Sequence, residues 1–189
     1  MKKWFPILQP TLTIIFIIVA CFVYGLSLAP SILFFNYVNA LSIASDSLFL
    51  NALFIGVSIS MCFFIFGISL ILIVGIIIRI LPIKAKPGVY PLASINAVKW
   101  GFCGAFLRLV NLTFLDFITP TFLNIMYFRL IGAKIGKNVQ LNTININDPW
   151  LLEIGDGSVI GGGSSINCHT VERGNLILEK VKIGKRDIV

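Results

Sequence analysis

The sequence predicts an α-helical membrane anchor followed by a parallel β-helix. Two observations predict this fold class. Two long apolar segments fill the N-terminal part of the chain, and a six-residue repeat of aliphatic and glycine positions runs near its C-terminal end. The composition agrees, because 57% of the 189 residues are hydrophobic and only 12% are charged, against about 25% charged in soluble domains. A soluble secreted protein and a disordered chain are therefore excluded.

Residues 1–80 are predicted to form two transmembrane helices. The first apolar segment, Thr11 to Leu28, is near the minimum length for a spanning helix. We expect Pro30 to end it and residues 31–47 to form a turn region. The second segment, residues 48–78, would rise roughly 45 Å as a helix, so it must tilt or project into the interface.

Basic residues flank the two spans. Lys2 and Lys3 precede the first span, and Arg79, Lys84 and Lys86 follow the second. The positive-inside rule therefore places both ends in the cytoplasm. A cleaved signal peptide is the alternative for the first segment, but no small-x-small cleavage site is evident and a second span follows. We predict a multi-pass protein of the inner (cytoplasmic) membrane, with its N-terminus and β-helix on the cytoplasmic side.

The two predicted spans lack charged residues and contain several small residues. Neither span contains Asp, Glu, Lys, Arg or His, which counts against a transporter or channel. Gly56 and Ser60, and separately Gly67 and Gly75, lie on one helical face. They either form a helix-packing surface or reflect the general frequency of glycine in spanning helices.

Residues 81–130 are predicted to be a linker, with a proline-rich connector and then an apolar helix from Leu92. Polar and aromatic residues interrupt this helix: Lys99, Trp100, Arg108 and Asp116. They predict a helix in the cytoplasmic interface of the membrane, and a re-entrant or spanning segment is the alternative. Pro120 is predicted to break the helix.

Residues 131–189 contain the six-residue repeat. Aliphatic residues begin three consecutive units, at Ile154, Ile160 and Ile166, and outlying copies begin at Ile135 and Ile183. Each unit is typical of one short strand plus a turn, and three units close one triangular coil of about 18 residues. The aliphatic residue points inward, and the glycine after it allows a backbone conformation closed to bulkier residues.

Two segments break the register, and the chain stops in mid-coil. Residues 142–153 contain a turn or loop, and residues 172–180 are expected to form an extruded loop or lengthened corner. Val189 follows without a helix or polar cap, although solenoids need capped ends. We expect the β-helix to be incomplete at its C-terminus, either because the chain is a fragment or because a partner supplies further coils.

The repeat units of residues 131–189 resemble the hexapeptide-repeat acyltransferases, and that family implies a left-handed β-helix. Surrounding residues narrow the resemblance to the membrane-embedded C-terminal modules of ε-poly-lysine-synthetase-type non-ribosomal peptide synthetases, over roughly residues 84–189. The segments that carry it are Tyr90-Pro91-Leu92-Ala93-Ser94, Trp100, Arg129 to Gly136, and Asp148 to Asp156. This resemblance implies a condensing or acyl-transferring module whose β-helix is anchored by membrane helices.

The resemblance implies a histidine general base at a coil edge, and His169 is the only histidine in the chain. An imidazole suits this role because it ordinarily titrates near neutral pH. Glu172 and Asp148 are the candidates to orient it, as in a catalytic triad. The alternative is structural: a turn residue whose ring bonds to the backbone of the next coil, with both carboxylates solvated.

Lys182, Lys185 and Arg186 are the candidates to hold the phosphates of coenzyme A, with a solvated surface as the alternative. Cys168 is a weaker candidate for an acyl-carrying nucleophile than for a buried structural residue. The four cysteines form no C-x-x-C pair, so we expect reduced thiols, no disulfide framework and no metal site.

Three functions are compatible with these observations. The leading one is a membrane-bound acyltransferase that moves an acyl or aminoacyl group from a thioester, acetyl-CoA or carrier-bound, to a hydroxyl or amine. The second is a non-catalytic β-helix module that docks or oligomerises a larger synthetase, and the third is a polymer export element. We expect no permanently bound cofactor. The expected partners are membrane lipid and either further copies of the chain in a homotrimer or a larger synthetase. We expect no binding to nucleic acid.

Overall fold

The computed structural model describes residues 5–41 and 47–189 and divides into two compact units, residues 1–73 and 74–189. The boundary lies inside the second long helix. The predicted linker and the predicted repeat region therefore fall within one compact unit. Lys2, Lys3 and residues 42–46 lie outside the described residues, so the predicted N-terminal flank of the first span does too.

The first unit contains helix α1 (Phe5–Leu41) and the start of helix α2 (Leu48–Ile80). The prediction that Pro30 ends the first helix is wrong, because α1 continues beyond it to Leu41. Proline removes one backbone hydrogen-bond donor and leaves one carbonyl unpaired. Because an apolar environment offers no water to compete for the backbone groups, the remaining helical hydrogen bonds are kept. Residues 31–41 are consequently helical instead of a turn.

Polar contacts join α1 to α2. The Ser31 hydroxyl donates to the Cys62 carbonyl at 2.9 Å, and the Cys62 thiol donates back to the Ser31 carbonyl at 3.4 Å. The two predicted small-residue faces differ in burial. Gly67 and Gly75 are buried, whereas Gly56 and Ser60 are exposed. A reciprocal serine–cysteine pair therefore contributes to the contact between the two helices, whereas the Gly56 face is exposed.

Within the part of the chain that the structure describes, three helical stretches are long and apolar enough to cross a membrane: Gln9–Ala40, Leu48–Ile80 and Ile95–Leu115. The first two contain the predicted spans. The third coincides with the segment for which an interfacial, re-entrant or spanning helix was expected. Their length and hydropathy indicate a membrane-inserted protein.

The second unit begins with the end of α2 and contains two further helices. Helix α3 (Ile95–Val110) is capped by the Ser94 hydroxyl, which accepts from the Ala97 amide, and it continues as one π-helical turn, Asn111–Leu115. The predicted break at Pro120 is confirmed. Helix α4 (Phe122–Ile131) starts after it.

Short strands make up the remainder of this unit. They are β1 (Gly88–Pro91), β2 (Lys134–Ile135), β3 (Gln140–Leu141), β4 (Ile146–Asn147), β5 (Leu152–Ile154), β6 (Val159–Ile160), β7 (Ile166–Asn167), β8 (His169–Glu172), β9 (Asn175–Leu178) and β10 (Val181–Ile183). A 3-10 turn, Pro149–Leu151, precedes β5.

Most of these strands pair in parallel in three small sheets. The strand orders are β10-β5-β2, β3-β6 and β4-β7. Ile135 lies beside Ile154, and Leu141 lies beside Ile160. The separation of the paired residues in the sequence is close to the length predicted for one coil. The leading isoleucines Ile135, Ile154, Ile160 and Ile166 are buried, as predicted, and so are Leu141 and Ile146. The leading isoleucine of the last copy, Ile183, is only half-buried.

The glycines that follow Ile135, Ile154 and Ile183 have a different role from the one predicted. Gly136, Gly155 and Gly184 do not have the positive φ angles that only glycine readily adopts. Instead, a Cβ on Gly155 would lie 2.5 Å from the Gly184 carbonyl oxygen, and one on Gly136 would lie 2.7 Å from the Asp156 amide. The repeat requires glycine here because neighbouring backbones approach too closely for a side chain.

The register break at residues 172–180, where an extruded loop or a lengthened corner was expected, belongs to a β-hairpin. Strands β8 and β9 are antiparallel, and β1 from the linker adds to β9 in the order β1-β9-β8. Apart from its helices, the second unit is thus a strand-rich region of small parallel sheets and one antiparallel sheet. The left-handed solenoid predicted for residues 131–189 stays a prediction.

The stacked isoleucines predict where stability resides. Replacing fully buried Ile160 with alanine should lower the free energy of unfolding by about 2–5 kcal/mol, because it leaves a cavity between paired strands. The matched change Ile188→Ala removes a side chain that is 85% exposed and should cost less than about 0.5 kcal/mol. Denaturant unfolding in detergent, followed by circular dichroism, measures both; equal losses would contradict this description of the interior.

Candidate functional site at the Asp148 corner

Asp148 occupies a corner of the strand-rich region where β4 leads into the 3-10 turn. Its backbone has φ 58°, in the left-handed region that aspartate tolerates better than most residues. Its side chain is only 3% exposed. A buried carboxylate needs polar partners, and its partners come from two other elements of the same unit.

The first partner is His169, at the start of β8. Its Nδ1 lies 2.5 Å from the Asp148 Oδ2, and the imidazole remains 22% exposed. An ionised carboxylate only accepts hydrogen bonds, so Nδ1 carries the proton in that state. The residues that the structure describes place no hydrogen-bond partner on Nε2. The imidazole is therefore held on one side and open on the other.

The second partner is Trp100, in α3. Its ring meets the His169 ring edge-on with centroids 4.9 Å apart, and its side chain, acting as a hydrogen-bond donor, lowers the pKa of the Asp148 carboxyl. The sequence pattern placed Trp100 in an interfacial helix and did not indicate this role. The available signal was its position on one side of α3 with the buried Cys103 and Leu107, at spacings of three and four residues.

Burial dominates the titration of Asp148. Loss of hydration raises the pKa of this carboxyl above its ordinary value, while the bonds from His169 and Trp100 and the charge of His169 oppose that rise. The imidazole and the indole thus both favour the ionised form. The three residues form one electrostatic unit, which can orient an imidazole and stabilise its charged form.

Glu172, the other candidate to orient His169, lies elsewhere. It is exposed at the far end of β8 and pairs with Asn175 across the hairpin. Residues three apart on a strand are about 10 Å apart and point to opposite faces. The structure therefore brings Asp148 to the imidazole and does not bring Glu172 there.

The three predicted phosphate-binding residues lie on and after β10. Lys182 sits beside Glu153, with Nζ and Oε2 3.6 Å apart, and Lys185 sits 3.9 Å from Asp156. Arg186 occupies a turn position with φ 59°. Lys134 donates to Glu153 at 2.8 Å. This hydrogen bond is the main reason that the pKa of the Glu153 carboxyl is lowered. The face is mixed in charge, so an anion would compete with these carboxylates.

Cys168 is poorly suited to nucleophilic catalysis. Its side chain is buried, and loss of hydration, reinforced by the Asp148 charge, raises the pKa of the thiol to about 11. It is therefore protonated near neutral pH, whereas a nucleophilic cysteine reacts as the thiolate. Within the described ranges, no three His, Cys, Asp or Glu side chains form a cluster suited to a metal ion.

Comparison with known proteins adds one relative. The chain is 28% identical over 132 residues, 70% of its length, to Delta-poly-L-ornithine synthetase from Acinetobacter baumannii (strain AB307-0294). The matched part is 9% of that synthetase, so the chain spans less than a tenth of its relative's length. This similarity agrees with the resemblance to synthetase modules. No protein-family model and no solved structure matches the chain.

The indole bond to Asp148 predicts a pH effect. Trp100→Phe keeps an aromatic ring but removes the donor, so the pKa of Asp148 should rise further. Because this pKa is already raised in the folded state, folding is favoured at low pH and weakens as the pH increases through the raised pKa. The substitution should extend that window upward. Carboxyl chemical shifts of ¹³C-labelled aspartate against pH measure it.

Trp150→Phe is the matched control. Its indole donates to the Ala85 carbonyl at 2.9 Å, so its loss should leave the titration of Asp148 unchanged. Equal shifts in the two variants would show that the indole does not act on this carboxyl. An Asp148 that titrates below the ordinary aspartate value in the unmodified chain would show that burial does not dominate its titration.

Proposed function

We propose that the chain is a membrane-bound acyl-transfer module in which His169 is the general base. The observation that carries this proposal is the 2.5 Å contact between His169 Nδ1 and Asp148 Oδ2. A buried carboxylate that fixes one imidazole nitrogen and leaves the other open is the arrangement that proton abstraction requires.

The proposed reaction transfers an acyl group from a thioester to a hydroxyl or amine. Nε2 of His169 takes the proton of the acceptor as its oxygen or nitrogen attacks the thioester carbonyl carbon. The tetrahedral intermediate collapses with cleavage of the carbon–sulfur bond, and the leaving thiolate recovers the proton from the imidazolium. The products are an ester or amide and a free thiol. Asp148 stabilises the imidazolium between the two proton transfers.

The proposal includes a left-handed β-helix for the strand-rich region. Its support is the repeated parallel pairing of β2 with β5, β3 with β6 and β4 with β7, with one isoleucine or leucine of each strand facing inward. The next pairing, Ile154 with Ile183, encloses a longer stretch of chain because the hairpin β8–β9 lies between them. In this arrangement His169 lies at a corner, as the first residue of the hairpin β8–β9.

The relative suggests a setting for this reaction. Because the similarity falls on a small part of a poly-ornithine synthetase, we propose that the chain works with, or within, a larger synthetase that supplies a carrier-bound aminoacyl thioester. Acetyl-CoA is the alternative donor, with Lys182, Lys185 and Arg186 toward its phosphates. We place the strand-rich region on the cytoplasmic side of the inner membrane, where such thioesters are made, and leave a homotrimer as the assembly to test.

A transfer assay tests the proposed base. Purified chain in detergent is incubated with acetyl-CoA or an aminoacyl pantetheine thioester and a panel of hydroxyl and amine acceptors, and acceptor-dependent release of free thiol is recorded. His169→Gln should lower this release by about 10²–10⁴-fold. Glu172→Gln changes an exposed carboxylate away from the imidazole and should stay within about two-fold. Equal activity in both variants and the unmodified chain would overturn the role of His169.

A non-catalytic docking module is the second candidate, favoured by the small share of the synthetase that the chain matches. Two substitutions distinguish the docking module from the acyl-transfer module. For a docking module, His169→Gln leaves synthetase function intact, whereas Ile166→Asp, which charges a buried position, abolishes it. For the acyl-transfer module, both substitutions abolish function. Product formation by the complete synthetase that contains each variant distinguishes them.

A further inference from the structure

Helix α3 has apolar residues on both sides. One side is buried within the second unit through Cys103, Leu107 and Val110. The outer side carries the exposed Gly101, Gly104 and Arg108. Beside them runs an apolar stripe spaced by four and three residues, half-buried except for the exposed Leu112: Val98, Phe102, Ala105, Leu109 and Leu112. A helix that lies between a protein core and water normally places charged residues on its outer side. Arg108 is the one charged residue among these eight, so the outer side of α3 suits an apolar medium.

Two large aromatic residues extend this apolar surface beyond α3. Phe117 is 65% exposed and Phe122 is 74% exposed, on either side of the break at Pro120. Leu112, at the end of the stripe, is 69% exposed. Arg108 is exposed beside the stripe, with a side chain long enough to reach phosphate headgroups while its stem stays in lipid.

The end of α2 fixes the level of this surface relative to a bilayer. Gly75 is buried against the Leu130 side chain of α4, and the Arg79 guanidinium donates to the Leu130 carbonyl at 3.3 Å. These contacts lie in the last turns of a helix that is apolar enough to span a membrane. Helix α4 is therefore held where α2 leaves the hydrocarbon.

Contacts along α3 argue against a third crossing. The Trp100 ring meets the His169 ring near one end, and the Asn111 side chain donates to the Ile144 carbonyl at 3.3 Å near the other. The helix thus lies along the strand-rich region for about 16 Å. If α3 crossed a bilayer, exposed polar residues such as Asn145 and Asn147 would enter the hydrocarbon with it, at a cost that membrane proteins avoid.

We infer that α3 lies in the plane of the membrane, with the strand-rich region on one side and phospholipid on the other. The bilayer-contact surface consists of the outer stripe of α3 together with Phe117 and Phe122. Of the three described helical stretches with the length and hydropathy of a span, α3 is thereby assigned to the interface. This placement does not depend on the chemistry of His169.

Substrate access follows from this placement, and this consequence rests on the proposed function. The Trp100 and His169 rings are in contact, and a helix with its side chains is about 10–12 Å across. His169 therefore lies about one helix diameter from the lipid. An acceptor hydroxyl or amine carried by a membrane-bound molecule reaches it from the bilayer surface.

Spin-label depth measurements test the inference. Val98→Cys, Ala105→Cys and Leu112→Cys are made singly in a chain whose Cys21 and Cys62 are replaced by alanine, while the buried Cys103 and Cys168 are kept. The labelled full chain is reconstituted into vesicles of phosphatidylcholine and phosphatidylglycerol. Depth is read from the collision rates of each label with oxygen and with a water-soluble nickel complex.

Phe64→Cys in the middle of α2 and Lys137→Cys on the strand-rich surface provide the deep and the aqueous reference. An in-plane helix predicts equal, shallow depths for the three α3 labels, about 5–10 Å below the headgroups. A spanning helix predicts that Ala105→Cys is deepest and that the other two labels lie about 10 Å nearer opposite surfaces. That result, or three labels as accessible to nickel as Lys137→Cys, would overturn the inference.

Discussion

The second unit is organised around a single buried carboxylate. Asp148 is held by the imidazole of His169 and the indole of Trp100, which come from β8 and α3, so one side chain connects the helical part of the unit to its strands. A buried ion without such partners would cost several kcal/mol. This requirement places Trp100 and His169 together, and it leaves the free nitrogen of the only histidine toward the surface.

Arg129 and Trp150, which lie in segments that resemble the synthetase modules, join elements of the second unit. Arg129 donates from α4 to the carbonyls of Ile135 and Gly136 at 2.7–3.1 Å, and the Trp150 indole donates to the Ala85 carbonyl. These bonds fix the entry into the first strands. Resemblance in such segments indicates a common framework, whereas the case for acyl transfer depends on the Asp148 corner.

The repeat and the apolar segments were predictable because each follows a local rule. Strict six-residue spacing gives the buried isoleucines, and hydropathy gives the long helices. Pro30 was misjudged because the rule that proline ends helices assumes water as the competitor for the freed carbonyl. Trp100 was missed for a different reason. It lies far from Asp148 in the chain, and no sequence spacing records a contact that only tertiary packing creates.

The tautomer of His169 is the most direct test of the Asp148 corner as a catalytic device. With one histidine in the chain, a ¹⁵N-labelled sample gives a single imidazole whose two nitrogens can be assigned without ambiguity. At a pH where the ring is neutral, we predict a proton on Nδ1, bound to Asp148, and a lone pair on Nε2; Asp148→Asn should disturb this preference. A proton on Nε2 in the unmodified chain would contradict the proposed role, because the outward nitrogen could not then act as a base.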